Sequence, residues 1–438
     1  MLKRKIQDTI VQYFNSNSNK ILIIDGARQI GKSFIIRHEG ISRFKNYIEI
    51  NFWEDHLKDR LFAEARTTND FYFRLSTIAG EKMGTKADTL VFLDEIQSYP
   101  HLLTLLKFLK QEDRFTYIAS GSQLGITLKQ TDSVPMGSID IVHMFPLDFE
   151  EFLWANGMGE FAISVMREKF SSLESLDESM HRKMMDFFHK YLLVGGLPDA
   201  VNTYLAQKNI VMVRKVQTDI HDLYAVDAAQ YDQKRSLIIR RIYEMIPSYM
   251  ENKKKRIVLK QIEDKKGKRS SDYVDEFDYL IHSGIALDVK AISNPVFPLI
   301  ESSGKNLLKL YLNDVGILTD ILYKNNISAV VDDQKSVNLG SVYETVVASE
   351  LKAHGHNLFY YDNKQKGEVD FLTDDYSSLS VIPIEVKSGK DYTIHSALNK
   401  FVKNDDYSVL KAYVLSNVKD ISVKGKIIYA PIYNVMFL

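Results

Sequence analysis

Apolar residues fall into short unbroken runs in the first third of the chain and into helical spacing afterwards, and this change of period predicts most of the elements. Ile21-Leu22-Ile23-Ile24 leaves no position for water, as in a strand covered on both faces. Leu90-Val91-Phe92-Leu93 and Phe115-Thr116-Tyr117-Ile118-Ala119 repeat the pattern, and 47–52 reads as a further strand. Helical spacing occupies 6–11, 33–38 and most of 54–84. Strands separated by helical stretches predict an α/β unit with a parallel sheet flanked by helices. From 150 to 250 the spacing is helical almost throughout, as in 181–191 and 236–250, broken by Gly195-Gly196-Leu197-Pro198 in what reads as a helix–helix turn. An amphipathic helix over 272–284 and a strand beginning at 285 come next. The polar loop Asp332-Asp333-Gln334-Lys335-Ser336 then marks a boundary before a helix at 340–347 and strands at 358–361, 367–372 and 381–387.

A chain of 438 residues exceeds what one core organises. Four segments are expected: a core at 1–148, a helical lid at 149–250, a third segment at 251–331 and a second α/β domain at 332–438. With 45% hydrophobic and 26% charged residues the composition is globular. The net charge of −1 means that any binding to DNA must come from a local patch. One candidate is 252–269, where nine basic residues, among them Lys253, Lys254, Lys255 and Arg256, face only Glu263 and Asp264. A basic helical stretch followed by a strand resembles a winged helix, whose basic face neutralises phosphates. Cysteine is absent, which excludes disulfides, thiolate metal sites and cysteine nucleophiles and is compatible with a cytoplasmic location. No apolar run approaches membrane-spanning length, so no membrane association is expected.

The strongest chemical signal follows the first strand. Gly26-Ala27-Arg28-Gln29-Ile30-Gly31-Lys32-Ser33 has the spacing of a phosphate-binding loop, glycines turning successive N–H groups toward an oxyanion at a helix start. Lys32 is placed to reach the β- and γ-phosphates of ATP, and the Ser33 hydroxyl to take a position on Mg2+. About 60 residues on, a strand ends in Asp94-Glu95: Asp94 for the Mg2+ shell, Glu95 to polarise the attacking water. The strand at 115–119 runs into Ser120-Gly121-Ser122, where Ser122 suits a γ-phosphate sensor at a strand's carboxyl end.

These blocks, with Asp94-Glu95-Ile96-Gln97 and Phe145-Pro146-Leu147-Asp148-Phe149, resemble an ATPase of the AAA+ superfamily, of the prokaryotic group that carries a C-terminal module. Gly195-Gly196-Leu197-Pro198 and 309–316 are similar to further blocks of that group. The group's arginine before the Pro-Leu block is replaced here by Gly137-Ser138, and its serine by Asp148. The resemblance implies ATP hydrolysis with Mg2+ and a homo-oligomer or protein partner.

A second set of chemistry-bearing residues lies near the C-terminus. Strand alternation puts Glu385 and Lys387 on one face, with Ile382, Ile384 and Val386 on the other. Asp370 comes from the preceding strand and Glu344 from the helix before it. Asp370, Glu385 and Glu344 could share a divalent metal, and Lys387 could orient or deprotonate water. The ordered set resembles the PD-(D/E)xK nuclease fold, with Val369 in place of the proline. Two functions are therefore expected from the sequence: an ATP-dependent protein that binds or cuts nucleic acid, or a non-cutting switch whose last domain docks a partner.

Overall fold

The computed structural model describes residues 1–16, 18–130, 137–230, 235–251, 262–263, 270–302, 308–331, 339–389 and 393–438. The chain forms two compact units, one built on residues 3–145, the other on 146–281 and 285–438.

The first unit carries a five-stranded sheet of β1 (Ile21–Asp25), β2 (Asn46–Asn51), β3 (Thr89–Asp94), β4 (Thr116–Gly121) and β5 (Ile139–His143). The order is β2-β3-β4-β1-β5 and every pairing is parallel. All residues of β1 and β3 are buried, which is why each carries four consecutive large apolar residues. Ile21, Ile23, Val91, Leu93 and Tyr117 pack in one core with Leu102, Leu103 and Leu106 of helix Pro100–Glu112 and with Phe71 and Leu75 of helix Thr68–Ala79. The helical stretch expected over 54–84 is two helices, Phe52–Leu57 and Thr68–Ala79, the second opened by a reciprocal Thr67–Asp70 capping box. Strand β5 escapes the sequence pattern because it is an edge strand with only Ile139 buried.

The topology places the chemistry. Because β4 lies between β1 and β3, the residues ending β4 emerge between the phosphate-loop strand and the acid-bearing strand. Open parallel sheets bind ligands beyond these carboxyl ends.

The second unit begins with helices Phe149–Ala155, Glu160–Ser171, Glu178–Val194, Pro198–Gln207, Ile210–Gln230 and Ser236–Glu251, in the region expected to be helical. An eight-stranded mixed sheet follows: β6 (Ala286–Ile292), β7 (Leu308–Leu312), β8 (Phe359–Asn363), β9 (Gly367–Asp375), β10 (Ser380–Val386), β11 (Ala412–Ser416), β12 (Ser422–Lys424) and β13 (Ile427–Pro431), ordered β12-β13-β11-β10-β9-β8-β6-β7.

Here the segmentation read from sequence meets a different architecture. Strand β6 pairs in parallel with β8, through Lys290 opposite Phe359, and antiparallel with β7. The hairpin assigned to a winged-helix-like segment at 251–331 thus extends the same sheet as the strands of 332–438. Six of the seven β6 residues are buried, so this strand needs neighbours and cover on both faces, which a solvent-facing wing lacks. Of the basic stretch 252–269 only 262–263 are described, so Lys253 to Arg256 lie outside the described residues, as does the loop 332–336.

The Gly195-Gly196 turn does join two helices, and it also meets the 309–316 block. Asp314 caps helix Val315–Tyr323 by accepting from the Ile317 N–H at 3.0 Å, and it accepts from the Gly196 N–H at 2.6 Å. The Gly196 carbonyl takes the Leu147 N–H at 2.7 Å. A Cβ on Gly196 would lie 2.0 Å from the Leu147 oxygen, so no larger residue fits. Burial pushes the Asp314 carboxyl up to about 6.

Candidate functional site

The loop from Gly26 to Gly31 is shaped by conformations that ordinary residues avoid. Gly26 has φ +148° and Gly31, at the N-terminus of helix Lys32–Arg43, has φ +93°. A Cβ on Gly26 would lie 2.3 Å from the Met144 carbonyl oxygen. The base of the loop is held from outside: Arg4 donates to the carbonyls of Ile30 at 3.1 Å and Phe145 at 2.6 Å. Ala27 and Ile30 are buried and point inward. Arg28, Gln29, Gly31, Lys32 and Ser33 line a cleft of about 370 Å³, together with Asp94 and Glu95. That volume is within the range of small-molecule sites.

Lys32 is buried, and its ammonium donates to the carbonyls of Gly26 at 2.8 Å and Ala27 at 2.7 Å. Burial holds its pKa below the usual lysine value, opposed by the charges of Glu95, Asp25 and Asp94. The Ser33 hydroxyl donates to Asp94 Oδ1 at 2.9 Å. Ser120 donates to the same oxygen, and Asn51 donates to Oδ2 at 3.3 Å. Burial raises the Asp94 pKa.

Glu95 has φ +54°, a left-handed backbone that turns it out of β3. Its Oε2 accepts from Ser122 at 3.1 Å and from the Gln97 side-chain amide, which also donates to the Ser122 hydroxyl at 3.0 Å. Ser122 therefore reaches the cleft through Glu95. The structure brings Lys32, Ser33, Asp94, Glu95 and Ser122 together at one sheet edge. Sequence reasoning missed Asn51, Trp53 and Phe34 in the cleft wall and Gln97 behind Glu95. Asn51 carried a usable signal: like Asp94, it ends a parallel strand, and the two residues are register partners.

In the second unit, β9 and β10 are antiparallel with Ile384 opposite Phe371, which puts Asp370 beside the end of β10. Asp370 Oδ2 accepts from the Val386 N–H at 2.8 Å. Lys387 donates to Glu385 Oε1 at 2.7 Å, while the buried Glu385 Oε2 has no hydrogen-bond partner. Burial, reinforced by Asp370, pushes the Glu385 carboxyl up to about 8. Glu344 accepts from the Tyr311 hydroxyl at 3.0 Å. The four predicted residues share one electrostatic neighbourhood, since Asp370 and Glu344 both act on Glu385 and Lys387. Among the described residues, though, Glu344, Asp370 and Glu385 do not bring one oxygen each within 4.8 Å of the other two. The sequence reading also missed a second cation: Lys309 on β7 is fully buried, pairs with Glu368 at 2.6 Å and lies 4.5 Å from the centroid of the Tyr360 ring.

Three family models match the chain. Residues 18–153 match an AAA domain, residues 185–328 a domain of unknown function (DUF8612), and residues 339–435 another domain of unknown function (DUF4143). No curated protein matches. Among solved structures, a Walker-type ATPase of Pyrococcus abyssi is 15% identical, covering 73% of this chain and 95% of its own, with a TM-score of 0.44. The ADP complex of Hsp104 from S. cerevisiae is 12% identical over 81% of this chain and 44% of its own, with a TM-score of 0.29. The ORC1 protein of Aeropyrum pernix, solved in complex with DNA, is 12% identical over 74% of this chain and 92% of its own, with a TM-score of 0.28. The matched model, the all-parallel sheet and the glycine loop agree: the N-terminal part of the chain is a P-loop ATPase domain of the AAA type.

Proposed function

We propose that this protein is an ATP-driven switch, with hydrolysis at the carboxyl edge of β1, β3 and β4 governing what the C-terminal acid cluster does to nucleic acid. The observation that carries the first half is the hydrogen-bond set joining Ser33, Asp94 and Ser120 on one side and Glu95, Gln97 and Ser122 on the other. It supports a division of labour. The backbone from Gly26 to Ser33 cradles phosphate, and the Lys32 ammonium exchanges its loop carbonyls for β- and γ-phosphate oxygens. Glu95 accepts a proton of the attacking water, and Gln97 and Ser122 keep its carboxylate aimed. Through Glu95, Ser122 senses the γ-phosphate. A hydroxyl beside a carboxylate is an oxygen donor set suited to Mg2+, which Ser33 and Asp94 would hold. When bound, the ion supplies charge neutralisation for the phosphoryl oxygens.

For the C-terminal domain, the partnerless oxygen of Glu385 supports a cation shared with Asp370, with Lys387 orienting water for cleavage and Glu344 supporting the site from its helix. A second reading, a non-cutting module that docks a partner, is favoured by a different observation. Lys387 and Lys309 already pair with Glu385 and Glu368 inside the cluster, and burial reinforced by Asp370 pushes the Glu385 carboxyl up, which opposes its ionisation as a cation ligand.

The test is ATP turnover with and without DNA, alongside incubation of single- and double-stranded DNA with divalent metals. Turnover lost in Lys32→Ala and stimulated by DNA supports the switch. Cleavage that disappears in Asp370→Ala and Glu385→Ala, with turnover intact, supports the cutting form. DNA-stimulated turnover with no cleavage in any metal or nucleotide supports the docking form, and turnover indifferent to both DNA and Lys32→Ala overturns the proposal.

A further inference from the structure

We infer that the second unit holds a transition-metal site of the zinc class, formed by Asp148, Glu350 and His354. These residues come from distant parts of the sequence. Asp148 caps helix Phe149–Ala155, Glu350 lies in the last turn of helix Gly340–Ala353, and His354 immediately follows that helix. A spacing of four residues puts Glu350 and His354 on one face of the helix. One ligand atom from each residue falls within 4.8 Å of the other two, and among the described residues no other group of three or more histidines or acids does so. Asp148 and Glu350 are buried, and the His354 side chain is 14% exposed.

The second atom of each ligand residue is anchored by the fold, which aims the first. His354 Nδ1 lies 2.8 Å from the main-chain oxygen of Leu438, an acceptor only, so the contact requires Nδ1 to carry the proton. In the neutral ring this leaves the Nε2 lone pair facing the two acids. Glu350 Oε1 accepts the Phe149 N–H at 2.7 Å, and Asp148 Oδ1 accepts the Glu151 N–H at 2.8 Å. The same arrangement, in which the far side of each ligand is tied to backbone, orients ligands in metal centres generally. Nε2 stands 3.7 Å from Asp148 Oδ2 and 3.9 Å from Glu350 Oε2. Both spacings are too long for hydrogen bonds. They exceed by a few tenths of an ångström the edge of about 3.4 Å expected between two ligands of a tetrahedral Zn2+ with bonds of about 2.1 Å. One imidazole with two carboxylates is a donor set for Zn2+ and its neighbours rather than for Mg2+. A cleft of about 480 Å³ includes His354 and Leu438 in its wall, so the histidine end of the site borders solvent-reachable space.

The test is titration of the full chain with Co2+ in excess Mg2+, which occupies oxygen-only sites. One equivalent should bind with the visible bands of low-coordinate Co2+ and be displaced by Zn2+. His354→Ala and Asp148→Asn should each weaken binding by at least about tenfold, while the Asp370→Ala/Glu385→Ala double variant binds as the parent does. If the single variants fail to fold, X-ray absorption of the Zn2+-loaded parent decides, and one imidazole among oxygen ligands supports the site. No stoichiometric binding, an all-oxygen shell, or loss of binding in the Asp370/Glu385 double variant overturns it and leaves His354 as an ion-pair partner of the two acids.

Discussion

Replacing Asp314 by alanine should destabilise the second unit by an amount that depends on pH in a predictable direction. The carboxylate accepts the backbone N–H groups of Gly196 at 2.6 Å and Ile317 at 3.0 Å. Removing it strands buried donors at about 1–3 kcal/mol each, so a loss of roughly 4 kcal/mol is expected before any compensation. The compensation comes from desolvation. The carboxyl moves from 3.8 to about 6 on folding, so the folded state binds the proton more tightly, by about 3 kcal/mol. Because the folded state holds the extra proton between these values, the Asp314 contribution is largest below 3.8 and falls as pH rises through 6. The alanine variant loses the acceptors at every pH but is spared this fall. Its deficit relative to the parent should therefore shrink by about 3 kcal/mol between about pH 4 and pH 8. The protein has two tryptophans, Trp53 and Trp154, so urea unfolding followed by fluorescence in a Trp53→Phe background reports the second unit through Trp154. Parallel stability–pH curves for the parent and Asp314→Ala would refute the reasoning, since Asp314 would then ionise in the fold as it does in water.

Glu95→Gln should bind ATP as tightly as the parent in a fluorescent-nucleotide assay while phosphate release falls by about a hundredfold or more, the usual scale for a lost general base; unchanged release removes Glu95 from that role. Gly26→Ala combines a φ of +148° with a 2.3 Å clash against the Met144 carbonyl, so nucleotide affinity should drop at least about tenfold, and parent-like affinity would mean the loop is not the phosphate cradle. Lys309→Met leaves Glu368 without its ammonium partner beside Glu344 and Asp370, at a cost of about 3–5 kcal/mol in the urea assay at neutral pH, and a neutral result would show that the pair is dispensable.

The nucleotide site was readable because its parts are local. A strand buried on both faces must be an unbroken apolar run, and a phosphate loop must have its glycines at fixed offsets, so 21–33 and 89–95 announce themselves in one dimension. Alternation along a strand likewise put Glu385 and Lys387 on one face without a fold, whereas how closely Asp370 and the helical Glu344 approach them depends on strand register and helix packing. Strand β5 was not legible, because an edge strand with one buried residue has no distinctive pattern.

What the sequence determined by itself is which residues can do chemistry and which strands must be covered. Only the tertiary structure decided who their neighbours are. Strand order inserts β4 between β1 and β3 and so hands Asp94 the hydroxyls of both Ser33 and Ser120. Pairing of β6 with β8 merges two expected segments into one sheet, and the fold brings Lys309 to Glu368 and Asp148 to His354 across long stretches of chain. Periodicity records how a residue faces solvent or core, whereas pair contacts between distant elements depend on sheet order and register, which leave no mark on local spacing.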